Sequence, residues 1–164
     1  MKYTQEDFDN FEIVNGRKIC PSGDYTQIET FSEYCSFGTG CSFGEGCFFS
    51  EWCSFGEWCS FGEWCSFGEG CSFGRRCSFG EDCSFGEGCS HEGLTNSTYF
   101  ACDRIGSEKR KTYFFKSNQG YYVRAGCFWG TFEEFENKVK KIHSNTKHEQ
   151  EYLMALELAE IVLG

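Results

Sequence analysis

The chain has 164 residues, a formal net charge of -10 at pH 7 and 19 % aromatic residues, including 19 Phe. This length allows one domain or two small ones, and the aromatic content supplies enough apolar side chain for a core, which argues against a disordered chain. The acidic balance argues against direct binding to nucleic acid or to an anionic membrane surface, because both need clustered Lys and Arg.

The negative charge is confined to the first part of the chain. Residues 1–91 carry 15 acidic and five basic side chains, while residues 92–164 carry ten of each. We therefore expect any electrostatic function to belong to the first segment. Residues 1–14 lack the charge and apolar pattern of a secretory signal, and no apolar run approaches the roughly 20 residues of a membrane span. We expect a cytoplasmic protein whose 13 Cys are reduced thiols.

Residues 1–12 are predicted to form an N-terminal cap. In the segment TQEDFDNFE, Thr4 is a candidate helix N-cap, and Phe8 and Phe11 lie on one face of the helix. We expect this apolar face to cover the beginning of the segment that follows.

Residues 13–91 contain a six-residue repeat. From Cys35 the chain reads CSFGTG CSFGEG CFFSEW CSFGEW CSFGEW CSFGEG CSFGRR CSFGED CSFGEG CSHEG, so that Cys recurs every six residues as far as Cys89. Phe follows two residues after each Cys until His91 takes the tenth place, which predicts that His91 ends the stack. The same register runs backward through Phe31, Tyr25, Ile19 and Ile13.

The alternation of side chains predicts which repeat residues face inward. Residues two apart lie on the same side of an extended strand, so each Cys and the following Phe face the interior and the Ser between them faces solvent. Gly follows eight of the nine repeat Phe, and glycine allows turns with φ > 0. Each hexad is thus predicted to be a short strand plus a corner.

The ten Cys of the repeat are predicted to fill space beside the Phe rings. Cysteines on adjacent coils would be close enough for disulfides. A metal site is not favoured, because the sequence has no CxxC pair.

Read from Phe, the unit Phe-Gly-x-x-Cys-Ser resembles the hexapeptide repeat of left-handed parallel β-helix proteins, with Phe where an aliphatic residue is usual. The resemblance covers about residues 31–91. It implies a mainly β fold whose triangular coils contain three hexads each, with left-handed crossovers between parallel strands. The main rival is a right-handed pentapeptide-repeat helix, whose period of five does not fit.

Coils of three hexads place residues 18 apart in one column, about 4.8 Å from the next. The corners form three columns: Glu33, Glu51, Glu69 and Glu87; Glu45, Glu63 and Glu81; and Thr39, Glu57 and Arg75. Like charges at this spacing repel each other. The columns are either solvated corners that oppose aggregation, or a charged surface that a nucleic-acid-handling protein would accept in place of nucleic acid.

Three tryptophans fall within a single coil, one at each corner. Exposed Trp is costly, which favours a protein interface; alternatively, each ring folds over a neighbouring glycine corner. Arg76 lies one coil beyond Trp58, where a cation–π contact is expected. The predicted partner-binding residues are Trp52, Trp58, Trp64, Glu45, Glu63, Glu81, Glu51, Glu69, Glu57 and Arg76.

Residues 92–164 are predicted to form a small α+β domain with a hairpin and two helices. The hairpin turns around Asn118-Gln119-Gly120. Capping-box patterns at Thr131 with Glu134 and at Thr146 with Glu149 begin the helices. The inward positions are predicted to be Phe132, Phe135, Val139 and Ile142 in the first helix, and Tyr152, Leu153, Leu156 and Ile161 in the second.

The stretch YYVRAGCFWGTFEEFENKV and the helix after it resemble a C-terminal module of uncharacterised bacteriophage proteins. This resemblance implies a phage accessory factor that works in the cytoplasm of the host cell.

Our leading functional hypothesis is a non-enzymatic, protein-binding solenoid, a phage accessory or anti-defence factor that could mimic nucleic acid. The alternative is a structural β-helix protein that self-assembles into a homo-oligomer through its ends or edges. An acyltransferase-like enzyme is less favoured, because no loop interrupts the hexads, and ice binding is less favoured because the outward row is Ser rather than Thr. We predict no catalytic, cofactor-binding or metal-binding residue.

Overall fold

The computed structural model describes residues 1–164, and the chain divides into two compact units, Met1–Asn96 and Ser97–Gly164. The first unit is a solenoid of about four turns, and the second is an antiparallel sheet with two helices. The predicted mainly β fold class is confirmed. None of the three helices combines the length and the apolar composition needed to cross a bilayer.

The solenoid unit consists of one short helix and many short strands, most of them two residues long. Its elements are α1 (Gln5–Asp9), β1 (Ile13–Val14), β2 (Arg17–Cys20), β3 (Thr30–Phe31), β4 (Cys35–Phe37), β5 (Ser42–Phe43), β6 (Phe48–Phe49), β7 (Ser54–Phe55), β8 (Ser60–Phe61), β9 (Ser66–Phe67), β10 (Ser72–Phe73), β11 (Ser78–Phe79) and β12 (Ser84–Phe85).

Three parallel sheets form the sides of the solenoid. Their strand orders are β2-β4-β7-β10, β5-β8-β11 and β3-β6-β9-β12, with β1 added antiparallel to β2. Ser36 pairs with Ser54, and Ser54 pairs with Ser72. The Ser54 hydroxyl also donates to the hydroxyl of Ser36, which lies 18 residues earlier in the chain. The predicted stacking of triangular coils, three hexads in each, is confirmed.

Phenylalanine rings fill the interior in a regular lattice. Phe55 and Phe73, one coil apart, stack with ring centroids 5.0 Å apart and planes 3° from parallel. Phe55 and Phe61, on adjacent sides, meet edge to face at 4.9 Å and 87°. The edge-to-face arrangement brings the positive rim of one ring to the negative face of another, worth about 0.5–1.5 kcal/mol per pair beyond the area buried. Phe in place of an aliphatic residue therefore fits the triangular interior.

The glycine after each Phe allows two coils to approach closely, which corrects the turn role predicted for it. A Cβ at Gly80 would lie 2.5 Å from the backbone nitrogen of Glu63, one coil earlier. Positive φ occurs two residues later in the hexad, at positions such as Gly40 (67°) and Trp58 (62°). The corner thus turns at the residue before Cys. Gly follows Phe in eight of the nine repeats because a Cβ there would crowd the neighbouring backbone, and Ser50 is the exception.

The first coil is one residue shorter than the others, which overturns the inward placement of Ile19 and Ile13. Strand β2 aligns Cys20, rather than Ile19, with Phe37. Because side chains alternate, this single-residue difference moves Cys20 inward and Ile19 outward, leaving Ile19 43 % exposed. Ile13 is also exposed, because β1 folds back antiparallel through an Asn15-Gly16 turn that we did not predict.

The N-terminal cap forms as predicted. The Thr4 hydroxyl accepts the Asp7 N–H, and the Asp7 carboxylate accepts the Thr4 N–H, which completes a capping box. Phe8 is buried, with its ring edge-on to Phe31 at 5.2 Å. Phe11 is half-buried against the same aromatic cluster. Helix α1 therefore covers the open end of the ring lattice.

The opposite end of the solenoid closes at His91 and Glu92. The buried His91 ring stacks on Phe73 at 5.0 Å, so it extends a Phe column by one ring. The Arg76 N–H donates to both carboxylate oxygens of Glu92, at 3.1 and 3.2 Å. In the preceding coil, the Trp58 N–H donates instead to a backbone carbonyl of the next coil. Glu92 thus replaces the carbonyl that a further coil would supply.

The second unit is built from a four-stranded antiparallel sheet and two helices. Its elements are β13 (Thr98–Ile105), β14 (Arg110–Ser117), β15 (Gly120–Ala125), β16 (Phe128–Thr131), α2 (Phe132–Ile142) and α3 (Lys147–Leu163), and the strands are paired in chain order. The predicted hairpin is confirmed, because Ser117 pairs with Gly120 across the turn. The sheet is larger than predicted, since β13 and β16 extend the hairpin on both sides.

Both predicted helices form, but each has one residue that we wrongly placed inside. Thr131 caps α2 with the full capping box, and the Thr146 hydroxyl accepts the Glu149 N–H at the start of α3. Ile142 is 58 % exposed because it ends α2, and Ile161 is 74 % exposed. The buried residues of α3 are Ala155, Leu156 and Ala159, and Ile161 lies on another side of the helix.

We expect Gly80→Ala to destabilise the solenoid by about 1–3 kcal/mol, because the new Cβ must displace the backbone of the preceding coil. Urea unfolding monitored by circular dichroism measures this as a lower midpoint at unchanged slope. Ser78→Ala, at an exposed outward position two residues away, is the control and should change stability by less than about 0.5 kcal/mol. Equal midpoints for the two variants would contradict the proposed close approach.

Candidate functional site

Most of the exposed charged and aromatic residues of the repeat lie along the three edges of the solenoid, where two sides meet; Phe48, which is 50 % exposed on β6, lies on a side instead. Each edge consists of one column of residues, mostly Glu on the first and third edges, followed in the chain by a second column with positive φ. The first edge contains Glu33, Tyr34, Glu51, Trp52, Glu69, Gly70, Glu87 and Gly88. The second edge contains Thr39, Gly40, Glu57, Trp58, Arg75 and Arg76. The third edge contains Glu45, Gly46, Glu63, Trp64, Glu81 and Asp82.

Hydrogen bonds between coils hold the three Trp residues in a left-handed backbone conformation. The Trp64 N–H donates to the Glu81 carbonyl at 3.0 Å, and Trp52 and Trp58 make the equivalent bond. Their φ values, in chain order, are 59°, 62° and 63°. This conformation costs a residue with a side chain about 1–2 kcal/mol, and glycine holds the equivalent position at four other corners. The three Trp therefore occupy positions that favour glycine.

Trp52 is the least exposed of the three. Its ring lies directly over Gly70, one coil further along the first edge. Its carbonyl accepts a hydrogen bond from Arg17 at 2.8 Å. The side chain is 45 % exposed. The alternative in which a Trp ring folds over a glycine corner therefore describes Trp52.

Trp58 and Trp64 remain largely exposed, at 64 % each. The Arg76 guanidinium lies 5.9 Å from the Trp58 ring, which is the predicted cation–π contact. One coil beyond Trp64 stands Asp82 rather than a glycine. Neither ring lies over a glycine of the next coil, as the Trp52 ring lies over Gly70.

Trp58 and Trp64 border the same side of the solenoid. The chain reaches β8 directly after Trp58 and leaves it shortly before Trp64. The outward residues of this side are Ser42, Ser60 and Ser78, and we refer to it as the Ser60 face. Because these side chains are small, the two Trp rings stand at the borders of a nearly flat strip.

The charges on the two borders of the Ser60 face differ. The third edge is uniformly acidic, whereas the second edge has Glu57 among Thr39, Arg75 and Arg76. The structure thus divides the predicted partner-binding set. Seven of its members border the Ser60 face: Trp58, Trp64, Glu45, Glu57, Glu63, Glu81 and Arg76. Three members lie on the first edge: Trp52, Glu51 and Glu69.

The Cys columns bind the corners of adjacent coils together. The Cys59 thiol donates to the Gly38 carbonyl, 3.4 Å away in the preceding coil. The same bond recurs at 3.3–3.4 Å for Cys65, Cys71, Cys77, Cys83 and Cys89. Each thiol therefore satisfies a carbonyl at the place where the strand ends and the corner begins.

The thiols of adjacent coils also contact one another. Hydrogen bonding to Cys35 and Cys71, together with burial, raises the pKa of the Cys53 thiol above its ordinary value. Contact with Cys71 and burial act in the same direction on the pKa of Cys89. All 13 cysteines are present as thiols rather than disulfides, and no group of three or more His, Cys, Asp or Glu is arranged to hold a metal ion.

The second unit contains a cavity of about 330 Å³ that no sequence pattern predicted. Its floor is formed by the buried Thr112, Phe135 and Val139, and Arg110 and Lys138 are among its exposed residues. Only Phe135, Val139 and Ile142 of α2 and Tyr152 of α3 carried a sequence signal, through the apolar patterns after the Thr131 and Thr146 caps. The lining as a whole comes from separate strands and both helices, so no local pattern brings it together.

Searches of protein-family models, curated proteins and solved structures find no match to this chain.

We expect Trp64→Gly to leave the solenoid as stable as the wild type or to stabilise it by up to about 1 kcal/mol, because glycine removes the cost of positive φ. This gain is partly offset by the greater freedom of glycine in the unfolded chain. Trp52→Gly should be less stable than Trp64→Gly, because it uncovers Gly70. Thermal unfolding of the two variants measures the difference, and a lower melting temperature for Trp64→Gly would show that its ring has a packing role.

In the native protein, iodoacetamide should modify Cys127 first and the buried repeat cysteines only after unfolding. Cys127 is exposed, and alkylation requires an accessible thiolate. Burial raises the pKa of Cys102, with Asp103 adding to the shift, so Cys102 should react more slowly than Cys127. Peptide mapping by mass spectrometry at pH 8 measures the order. Rapid native labelling of Cys59 or Cys71 would be incompatible with the closed thiol columns.

Proposed function

We propose that this protein is a non-enzymatic binding solenoid that holds another protein against its Ser60 face. Trp58 and Trp64 supply the apolar contacts at the two borders of the face. Glu45, Glu63 and Glu81 supply a row of negative charge along one border. Side chains of this kind, held at corners between short strands, can bind a partner without rearranging the backbone.

The observation that carries this proposal is the conformation and exposure of Trp58 and Trp64. Each is 64 % exposed, in a backbone conformation that glycine adopts at less cost. A large exposed side chain in a costly conformation does not contribute to folding stability. Trp is also the residue type most enriched among the dominant contacts of protein interfaces.

The acidic third edge supports the proposal that the partner is a protein with a basic surface. The three Glu of this edge are exposed and about one coil apart, so their repulsion is relieved when a row of Lys or Arg lies against them. Proteins that handle nucleic acid have such rows. We therefore propose a nucleic-acid-handling partner for which the edge takes the place of a phosphate backbone.

A phage accessory or anti-defence role is a further hypothesis within this proposal, and it rests on the resemblance of the C-terminal module alone. In that role the partner would be a host defence protein in the cytoplasm.

We expect the double variant Trp58→Ser/Trp64→Ser and the triple variant Glu45→Gln/Glu63→Gln/Glu81→Gln each to weaken binding at least about tenfold. A partner recovered from bacterial lysate on the immobilised wild-type chain is purified and titrated against each variant by calorimetry. Binding should also weaken as salt is raised, because the charges are exposed. Duplex DNA should displace the chain if the acidic edge mimics nucleic acid.

The matched control is Glu33→Gln/Glu51→Gln/Glu69→Gln, which removes the same number of charges from the first edge. It should retain most of the affinity. Equal losses of affinity in the two triple variants would mean that binding depends on the net charge of the chain and not on the third edge. Unchanged affinity in the double Trp variant would refute the Ser60 face as the binding surface.

A further inference from the structure

The cavity of the second unit has the form of a small-molecule site. It lies among β14, the end of β15, β16, α2 and the first half of α3. Its volume of about 330 Å³ falls within the range of pockets that enclose small ligands. All of its lining residues belong to Ser97–Gly164, so the site is complete within one unit.

The interior of this cavity is largely aromatic and apolar. The Phe128 and Phe135 ring centroids are 5.5 Å apart, and the Tyr152 ring stands edge-on to Phe135 at 5.4 Å and 88°. Val139 lies beside them on α2 and is buried. Thr112 supplies the only polar side chain among the three buried lining residues. Such walls suit a hydrocarbon or aromatic body rather than a sugar or a nucleotide.

Two cationic side chains stand at the opening of the cavity. The Lys138 ammonium lies 5.2 Å from the centre of the Phe128 ring, which holds it beside the apolar interior. The Arg110 guanidinium lies near Gly126, at 3.0 Å from where a Cβ of that residue would be. Gly126 has φ of 59°. A side chain at this position would crowd the Arg110 guanidinium, so glycine leaves room for it.

The one carboxylate of the lining does not neutralise these cations. Glu108 approaches Arg110 only to 3.8 Å, and both side chains are more than half exposed. An exposed pair of this kind contributes little and separates easily. The mouth therefore offers two cations to a ligand, and Arg in particular can bind a carboxylate with two parallel hydrogen bonds.

We propose that this cavity binds a small carboxylic acid with an apolar body. The carboxylate lies between Arg110 and Lys138, and the body lies against Phe128, Phe135 and Val139. Such a ligand places its anionic group beside the two cations at the mouth and its apolar group against the apolar interior. A ligand with a neutral or cationic head group would not pair with these cations. This site is independent of the function proposed for the Ser60 face.

Calorimetry of the full chain with octanoate, octanol and octylamine tests the proposal, because these probes share one hydrocarbon chain and differ in head group. Octanoate should bind saturably at one site per chain and at least about tenfold more tightly than octanol. Octylamine should show no saturable binding. Octanol that binds as tightly as octanoate would overturn the role of the cations, and no saturable binding of octanoate would overturn the site.

Two variants separate recognition of the carboxylate from non-specific adsorption. Lys138→Gln and Arg110→Gln should each weaken octanoate about five- to tenfold and leave the affinity for octanol unchanged. Lys140→Gln, on another side of the same helix and paired with Glu136 at 2.8 Å, is the control and should bind octanoate like the wild type. Circular dichroism confirms that each variant is folded. Equal losses of octanoate affinity in all three variants would mean that binding depends on the net charge of the chain and not on Arg110 and Lys138.

Cys127 provides a second readout, because it lines the cavity and is exposed to reagents. Saturating octanoate should slow its alkylation by iodoacetamide several-fold, since a ligand in the mouth covers the thiol. Cys102 does not line the cavity and should react at the same rate with and without octanoate. Binding that leaves the Cys127 rate unchanged would place the ligand elsewhere and refute the proposal.

Discussion

Stacking of aromatic rings at the repeat distance of the coil is the interaction on which the solenoid depends. Rings in one column lie about one strand spacing apart, as Phe49 and Phe67 do at 4.9 Å, so backbone pairing and ring stacking have the same period. Rings on adjacent sides meet edge to face, which lets three of them fill each triangular coil. Both requirements favour a coil of 18 residues, and the loss of one residue in the first coil turns Ile19 outward and Cys20 inward.

The other recurring features of the hexad serve this spacing. Glycine after Phe lets adjacent backbones approach, and each Cys thiol bonds to a carbonyl that lies beside it in the preceding coil. The two ends interrupt the lattice in different ways. At the first end, α1 places Phe8 against Phe31, the first ring of its column. At the other end, His91 continues a ring column while Glu92 supplies the missing acceptor for the Arg76 N–H.

A rigid lattice makes the residues at its edges available for recognition. The corner residue before each Cys contributes nothing to the ring core, so Trp, Arg, Asp and Gly all occupy it. Exposed aromatic and acidic groups can therefore be held at fixed intervals without loss of the fold. The second unit offers a different chemistry, an open cavity with an apolar interior and cations at its mouth. We propose a basic protein as the partner of the first surface and a small acid as the ligand of the second, and each site lies within one unit.

The sequence by itself determined the coil of three hexads, the inward Phe and Cys, the glutamate columns, the N-terminal cap and the two capped helices. The number of hexads in a coil, and with it the glutamate columns, came from the resemblance to hexapeptide-repeat β-helix proteins, whereas the other features follow from short-range rules of alternation and capping that read directly from residue spacing. Only the tertiary structure decided that the first coil lacks one residue, that glycine serves coil approach, that Trp52 covers Gly70 while Trp58 and Trp64 stay exposed, and that Arg110 and Lys138 share one cavity. All four features depend on contacts between residues that lie one coil or one secondary-structure element apart. Such contacts are determined by the distance between backbones and by the neighbouring side chains, so the local spacing of residues does not predict which side chains are buried.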